Sequence, residues 1–397
     1  MSFEIALSGI QAINEQLNAT SNNIANAGTY GYKSGRANFA AMYAGSQATG
    51  TEIGSLTQNM ALNGGVLSTG RGLDAAISGS GYFVARDGTG QTTFSRVGIF
   101  STASDGTLVD SAGRDVQGYA AIAGSSALGP MGKLVILTGQ IPAVASRQLD
   151  YVANLSTDWT VPSAATFDPD NNQSYSMSKL SVLYDSLGAE HTLTQYFVKS
   201  ATANTVDVHY SFDDGAPLAV TSTLSFDSGG QLTAPAAPVA LALAPVNGAA
   251  GIAIDLDYTG TTQFAGDAVT STNSADGYAS GTYTGVALGA DGALVAQYSN
   301  GQKQTVGTIA LANFANADGM TAISDTSWVA SSTSGTANYS TPGSGLAGSL
   351  ATSSLEQSNV DITSELVGLM TSQRNYQANS KVISTESAMM QSLMQAL

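Results

Sequence analysis

The sequence contains no cysteine, which excludes disulfide bonds, zinc–thiolate sites and a thiol nucleophile. Charged residues are scarce as well: they make up 11% of the 397 residues, whereas about 25% is usual. Only 13 residues are Lys or Arg against 29 Asp or Glu, which gives a net charge of −16. Because phosphate binding requires clustered cations, this balance argues against a nucleic-acid partner. Small and polar residues, including 44 glycines, take the place of charged ones, and this composition suits many short strands and turns.

Long apolar segments are missing too. No run of about 18 apolar residues occurs, so we expect no transmembrane helix and no membrane partner. The first residues, Met1–Glu4, have neither the basic region nor the apolar region of a secretory signal peptide. If the protein leaves the cell, we expect it to use a route other than the general secretory one.

The negative charge is concentrated in the middle of the chain. Residues 150–300 contain fifteen acidic residues and two basic ones, Lys179 and Lys199, so this segment carries −13 of the net −16. The two ends are almost uncharged by comparison. We expect the acidic middle segment to face solvent and the two ends to face protein.

At the N-terminal end, seven mostly apolar residues recur at alternating spacings of three and four, which is the pattern of one helix face. We call this face the seam. The residues on this face are Phe3, Ala6, Ile10, Ile13, Leu17, Thr20 and Ile24. Asn26 and Gly28 follow, and both residue types commonly end helices. The spacing predicts an amphipathic helix that stops at Asn26–Gly28.

The C-terminal end shows a stricter repeat, with one residue of a helical face at every seventh position. This column is Leu355, Ile362, Leu369, Tyr376, Ile383, Met390 and Leu397. A second column is partly small or polar and consists of Leu366, Gln373, Ser380, Ser387 and Met394. The repeat predicts a second long helix.

Both helices fit two interpretations. They are either ordinary amphipathic helices packed on a globular core, or helices that need partners to be covered. Their outer faces carry Ser, Asn, Gln and Ala rather than Lys and Glu, which favours the second interpretation. A lone helix of this length is marginal in water, whereas each seam residue adds about 1.5–3 kcal/mol if fully buried. We expect the helices to pair in a coiled-coil-like core layer that orders on assembly.

The interior of the chain has strand patterns, for example at 81–85, 133–137 and 180–184, separated by Asp-Gly and Asn-Gly turns. The predicted fold class is therefore mainly β with long terminal α-helices and nested, discontinuous domains. Composition changes near 145 and near 285 bound the acidic insert. The predicted domains are a helical core domain (1–33 with 356–397), a connecting segment (34–69), an inner β domain (70–145 with 285–355) and an inserted outer β domain (146–284).

Some residues could be drawn into a catalytic or metal site, but their context does not support one. His191 and His209 have no nucleophile motif around them, so we interpret them as surface or strand histidines. The acidic pairs at 168/170 and 255/257 do not continue into a calcium-binding loop. Gly343–Gly348 matches G-x-G-x-x-G, yet no buried strand precedes it and no helix follows it. We expect no enzyme activity, no cofactor and no metal.

Three segments carry a family resemblance. The first is 22–33, Asn-Asn-Ile-Ala-Asn-Ala-Gly-Thr-Tyr-Gly-Tyr-Lys, in which a helix end is followed by a glycine turn, an aromatic pair and one cation. The second comprises 69–74, 77–83 and 94–98, and the third comprises 358–361, 365–367 and 373–381 near the other end. In their order and spacing these segments resemble the signatures of the flagellar axial proteins of rod and hook.

Within that family, the length and the acidic insert favour the hook. Rod proteins are shorter and lack a large inserted domain, and the segments 182–191 and 309–316 resemble hook-type stretches. The resemblance then implies a subunit that assembles into a curved hollow tube and acts as a universal joint between motor and filament. The alternatives are a distal rod protein, which would form a straight tube, and an extracellular β-rich adhesin.

The resemblance also implies partners and a location. The expected partners are copies of the same chain, the distal rod protein, the hook cap (scaffolding) protein, the hook–filament junction protein and the flagellar type III export apparatus. The expected location is extracellular, in the hook of the basal body–hook complex. Contacts between subunits are expected at Phe3, Ile10, Ile13, Leu17, Ile24, Asn26, Tyr30, Tyr32, Lys33, Ile362, Leu366, Leu369, Arg374, Tyr376, Ile383, Met390 and Leu397.

Overall fold

The computed structural model describes residues 2–122, 127–164, 166–245 and 248–396. The chain is mainly β with a long helix near each end, which confirms the predicted fold class. It divides into two compact units. Unit 1 comprises Met1–Leu137, Gly285–Gln297 and Lys303–Leu397, and unit 2 comprises Thr138–Thr284 and Tyr298–Gln302. The finer division into a helical core, a connecting segment and two β domains stays a prediction.

The two terminal helices, α1 (Ser2–Ala25) and α2 (Ile362–Ala396), pair within unit 1. A Cβ atom at Gly9 would lie 3.1 Å from the amide nitrogen of Asn379, and the amide of Asn23 donates to Glu365 Oε1 at 2.8 Å. The pair is antiparallel, because residue numbers rise along one helix as they fall along the other. In the part of the chain that the structure describes, no helix carries an apolar stretch long enough to cross a membrane.

The ends of the helices follow local capping rules. Beyond the last residue of α1, the backbone N–H of Asn26 donates to the Asn22 carbonyl at 3.0 Å, and a turn follows, which confirms the predicted stop. At the start of α2, the carboxylate of Asp361 accepts the N–H group of Thr363 at 2.8 Å. Leu355, the first residue of the predicted heptad column, is not helical. It is buried in the strand Ser354–Glu356, so the helical column begins at Ile362.

Between α1 and the inserted unit, the described residues form ten strands. They are β1 (Gly35–Ala44), β2 (Gln47–Gln58), β3 (Val66–Ser68), β4 (Ala75–Ser78), β5 (Tyr82–Arg86), β6 (Thr92–Ser95), β7 (Phe100–Thr102), β8 (Leu108–Asp110), β9 (Asp115–Ala121) and β10 (Leu128–Lys133). β1 and β2 form a long antiparallel hairpin with two register shifts. This hairpin occupies most of the predicted connecting segment and packs against α1.

Unit 2 is a sandwich of two five-stranded sheets. Its strands are β11 (Gln148–Ser156), β12 (Met177–Tyr184), β13 (Glu190–Lys199), β14 (Thr205–Phe212), β15 (Pro217–Phe226), β16 (Leu232–Ala234), β17 (Val239–Leu243), β18 (Ile252–Asp257), β19 (Thr262–Phe264) and β20 (Val269–Ala275). One sheet has the order β12-β13-β14-β15-β16, and the other contains β17-β18-β11-β19 with β20 on β11. Buried side chains from both sheets form one core, in which Tyr151 stacks on Phe197 at 5.4 Å.

The remaining strands lie almost entirely in unit 1. They are β21 (Tyr283–Leu288), β22 (Ala293–Tyr298), β23 (Lys303–Ile309), β24 (Leu311–Asn313), β25 (Thr321–Ile323), β26 (Ser327–Val329), β27 (Asn338–Ser340), β28 (Ser349–Thr352) and β29 (Ser354–Glu356). The exceptions are the first two residues of β21 and the last residue of β22, which belong to unit 2. The main sheet has the order β21-β22-β23-β9-β5-β6-β26-β25, so three strands from before the insert lie between strands from after it. β28 pairs with β4 and β29 pairs with β3, which brings the start of α2 back to the first part of the chain.

Candidate assembly surface

The predicted seam of α1 is only partly covered by its own chain. Apart from Ile13, small and polar residues make up the buried face, which consists of Ala6, Gly9, Ala12, Ile13, Thr20 and Asn23. Of the large apolar residues, Phe3 and Ile5 are exposed. Ile10, Leu17 and Ile24 are half-buried. The helix therefore turns its small residues towards its own chain and leaves much of its apolar surface available.

α2 is even less covered. Among its described side chains, Ser372 alone is fully buried. Of the predicted contact residues, Leu369 and Ile383 are half-buried, and the exposed ones are Ile362, Leu366, Arg374, Tyr376 and Met390. Leu397 lies outside the described residues. Exposed apolar side chains thus run along the length of α2, and large exposed apolar patches mark interaction sites.

The C-terminal end of α2 extends past its partner helix. The contacts of Gly9 with Asn379 and of Asn23 with Glu365 place Ser2, the first residue of α1, opposite about residue 386. Residues 387–396, which we call the overhang, then continue for roughly 15 Å at 1.5 Å per residue. The overhang carries four exposed apolar side chains. Met389, Met390, Leu393 and Met394 are 63%, 58%, 57% and 75% exposed.

The three sequence segments that carry the family resemblance meet at one place in unit 1, which we call the motif junction. Asn23 is one of its centres, with an amide that donates to the Gly35 carbonyl at 2.8 Å as well as to Glu365. The Asn23 side-chain oxygen accepts the Gly35 N–H group at 2.7 Å and the Tyr32 hydroxyl at 3.2 Å. Burial, together with the charge of Glu365, raises the pKa of Tyr32. These bonds tie α1 to both the hairpin and α2.

Glu356 is the second centre of the motif junction. Its carboxylate bonds Lys33 Nζ at 2.9 Å through one oxygen and Arg96 Nε at 2.6 Å through the other. All three side chains are at least 97% buried. Burial lowers the pKa of Lys33, and the bond to Glu356 opposes that shift. Removing one member of a buried ion pair is strongly destabilising, because it leaves an uncompensated charge.

Backbone geometry completes the motif junction. Gly31 has φ +67°, and a Cβ atom there would lie 2.9 Å from a methyl group of Val97. Its N–H group donates to the Glu356 carbonyl at 2.8 Å. Asn359 accepts the Ser34 N–H group at 2.7 Å and donates to the Leu62 carbonyl at 2.9 Å. The segment 30–33, which contains the aromatic pair and the cation, is therefore folded onto its own chain.

The remaining predicted contact residues lie in or near the motif junction and α1. Lys33 is 1% exposed and its ammonium group is satisfied within the chain, so we reassign it from a contact between subunits to the internal junction. Ile13 is also buried within the chain. Asn26 and Tyr30 are half-buried in the turn after α1. Contacts at the other positions stay predictions.

The residues considered for catalysis are engaged in other ways. Both ring nitrogens of His191 bond carboxylates, those of Asp185 and Asp213. His209 stacks on Phe167 with ring centroids 4.2 Å apart. No cluster of three or more His, Asp or Glu side chains among the described residues could hold a metal ion. The glycine-rich segment at 343–348 leads into β28 and not into a helix, so the context of a dinucleotide site is missing.

Comparison with known proteins shows matches to flagellar protein families along most of the chain. Four family models match: "Flagella basal body rod protein" at 3–33, "Flagellar hook protein FlgE/F/G D1 domain" at 76–158, "Flagellar basal body protein FlaE D2 domain" at 154–278 and "Flagellar basal body rod FlgEFG protein C-terminal" at 351–396. These matches place the chain in the class of flagellar axial proteins. Its terminal helices, joined through the motif junction, are those of that class.

Relatives that match over their full length identify which flagellar axial protein family the chain belongs to. The chain is 35% identical to the flagellar hook protein FlgE of Salmonella typhimurium, with 99% of each chain covered. It is 34% identical to the hook protein of Escherichia coli, again with 99% of each covered. The chain belongs to the flagellar hook protein FlgE family. The crystal structure of the Helicobacter pylori hook protein FlgE2 has the same fold, with a TM-score of 0.53 at 14% identity, covering 73% of this chain and 100% of that one.

Proposed function

We propose that this hook subunit assembles with copies of itself into a curved hollow tube that acts as a universal joint between motor and filament. The observation that carries the proposal is the uncovered apolar surface of α2, above all the overhang. Each apolar side chain that becomes fully buried stabilises an assembly by about 1.5–3 kcal/mol. A neighbouring copy is the partner that fits, because every subunit of a tube presents the same surface and can cover the next one.

The proposed partners follow from a place in the hook. The tube would meet the distal rod protein at one end and the hook cap or the hook–filament junction protein at the other, after export through the flagellar type III apparatus. We propose an extracellular location and a purely structural role without catalysis. The distal rod alternative is not favoured, since the full-length relatives described above are hook proteins. The adhesin alternative is disfavoured by the same relatives.

The test is a pair of substitutions on the overhang, Met389→Gln and Leu393→Gln, made together. Glutamine has nearly the helix propensity of Met and Leu, so the change removes apolar surface and leaves the helix intact. Both side chains are more than half exposed, so we expect the free energy of unfolding of the monomer to change by less than about 0.5 kcal/mol. Loss of about 1.5 kcal/mol per residue, or about 3 kcal/mol for both, would raise the protein concentration needed for assembly by roughly a hundredfold.

Assembly is measured by sedimentation and by electron microscopy of negatively stained samples. The control is Leu187→Gln, which makes the same change at an equally exposed leucine of unit 2. We expect the control to form tubes at nearly the wild-type concentration. Tubes that form equally well from the double variant would show that the overhang is not an assembly contact.

A further inference from the structure

His191 lies between two carboxylates in unit 2. It is the second residue of β13, and its side chain is 7% exposed. Its Nδ1 atom is 2.6 Å from Asp213 Oδ2, in the turn after β14. Its Nε2 atom is 3.1 Å from Asp185 Oδ2, in the turn between β12 and β13. One ring therefore bridges two turns that are 22 and 6 residues away in sequence.

The chemistry of the ring fixes which protonation state makes both contacts. A neutral imidazole has one N–H donor and one acceptor nitrogen, whereas an ionised carboxylate only accepts. Neutral His191 can therefore donate to one aspartate, and its other nitrogen then faces an oxygen lone pair. Only the imidazolium donates to both. Burial disfavours the charged ring, but the bonds to Asp213 and Asp185 outweigh it and raise the pKa of His191.

Acidic groups surround the ring. Among the described residues, Asp213 and Asp185 are the charged groups that act on the ring, and the neighbouring Phe212 stacks on it at 5.2 Å. The adjacent Glu190 is engaged by the Tyr184 hydroxyl at 3.1 Å. A second acid, Asp214, follows Asp213 in the same turn. With the ring protonated, the net charge of Asp185, His191 and Asp213 falls from −2 to −1, so the acidic surroundings favour the proton on the ring.

The two contacts are held with different strength by the rest of the fold. The side chain of Asp185 is fully buried, and its other oxygen accepts the N–H groups of Leu187 at 2.8 Å and Ala189 at 2.9 Å. Asp213 is 38% exposed and adopts φ +48°, in the left-handed region that costs non-glycine residues energy. When the ring loses its proton, the contact to Asp213 is the one that water can replace.

We propose that Asp185, His191 and Asp213 form a proton-dependent clasp that joins the β12–β13 turn to the β14–β15 turn of unit 2. With the ring protonated, both turns are tied together. With the ring neutral, the β14–β15 turn loses its link through the ring to Asp185, whereas the bonds between Asp213 and the backbone of Thr192, both 2.9 Å, still hold it on β13. Since the pKa is raised in the folded state, the clasp stabilises unit 2 fully below about pH 6.5, the ordinary value of histidine, and this stability is lost as the pH rises through the folded value.

The chain offers a simple readout because it contains only two histidines. The experiment follows the ring resonances of histidine-labelled, full-length protein by NMR across a pH titration, before assembly. His209 serves as the internal reference: burial lowers its pKa, and Asp207 opposes that shift only in part. We expect His191 and His209 to titrate on opposite sides of the ordinary value. Titration of His191 at or below the ordinary value would overturn the proposal.

Two neighbouring substitutions separate the clasp from general charge effects. Asp213→Asn removes one carboxylate of the clasp, and Asp214→Asn removes the same charge one residue further along the same turn. We expect Asp213→Asn to lower the pKa of His191 and to flatten the fall in unfolding temperature of unit 2 between pH 6 and pH 9. Asp214→Asn should leave both nearly as in the wild type. Equal effects of the two substitutions would contradict the clasp.

Discussion

Glu356→Gln is the substitution with the clearest expected effect on unit 1. The wild-type carboxylate accepts hydrogen bonds from Lys33, Arg96 and the N–H group of Gly64, at 2.9, 2.6 and 3.1 Å. Glutamine fills the same volume but carries no charge. Its amide group also presents N–H donors to one of the two cations. Both cations then stay buried without their shared counter-charge.

The size of the effect follows from the energetics of buried ion pairs. Removing one partner of such a pair costs about 3–5 kcal/mol. Arg96 keeps three carbonyl acceptors, at Ile77, Gly79 and Gly81, and these reduce the loss without replacing the charge. We therefore expect the lower half of that range, about 3–4 kcal/mol. For a unit of 150–250 residues, each kcal/mol shifts the unfolding temperature by roughly 2–4 °C.

The two tryptophans allow each unit to be followed separately. Trp328 lies in unit 1 and Trp159 in unit 2, and the sequence has no others. In a Trp159→Phe background, fluorescence during urea unfolding reports unit 1 alone. The control is Glu52→Gln at an exposed site on β2, which should change stability by less than about 0.5 kcal/mol. If Glu356→Gln unfolds within the margin of this control, Glu356 does not neutralise two buried cations.

Two further substitutions test other parts of the account. Gly31→Ala places a methyl group against Val97 at a positive φ, so we expect unit 1 to lose about 1–3 kcal/mol, measured by the fluorescence of Trp328; unchanged unfolding would contradict the close approach. Tyr258→Phe removes the hydroxyl that donates to Gln195 Oε1 at 2.7 Å inside the sandwich, and the orphaned acceptor should cost unit 2 about 1–3 kcal/mol in urea unfolding. A loss seen equally in both units would contradict that assignment.

The terminal helices could be predicted from sequence because an uninterrupted apolar period is a local signal. The same period misplaced Leu355, which falls on the heptad column but belongs to β29. The information that sets the true start is the capping residue Asp361, whose carboxylate accepts the N–H groups of Thr363 and Ser364. Periodicity places a helix, and the cap determines where it begins.

The β1–β2 hairpin could not be assigned, and the reason is physical. Its strands lie mostly exposed on both faces, so the sequence lacks the alternation of apolar and polar residues that marks a half-buried strand. The hairpin is held instead by contacts with α1, for example the bond from the Thr51 N–H group to the Ser8 hydroxyl at 3.2 Å. Contacts of this kind have no local sequence pattern.

The motif junction shows a second limit. Its segments could be recognised as a family signature, but their convergence depends on pairings such as Lys33 with Glu356, which are 323 residues apart. One local signal was available: a single cation between an aromatic pair and a polar turn is a candidate for a buried, paired charge. Likewise, His191 could be placed near a strand, whereas its second carboxylate, Asp213, comes from another hairpin.

The most direct test of the central claim is electron microscopy of the purified full-length chain at increasing protein concentration. The account predicts curved hollow tubes for the wild type, and their loss in the Met389→Gln/Leu393→Gln variant at the same concentration. Straight tubes would indicate a rod-like assembly. A wild-type chain that stays monomeric at every concentration, although its overhang is apolar and exposed, would contradict the claim that its terminal helices drive self-assembly.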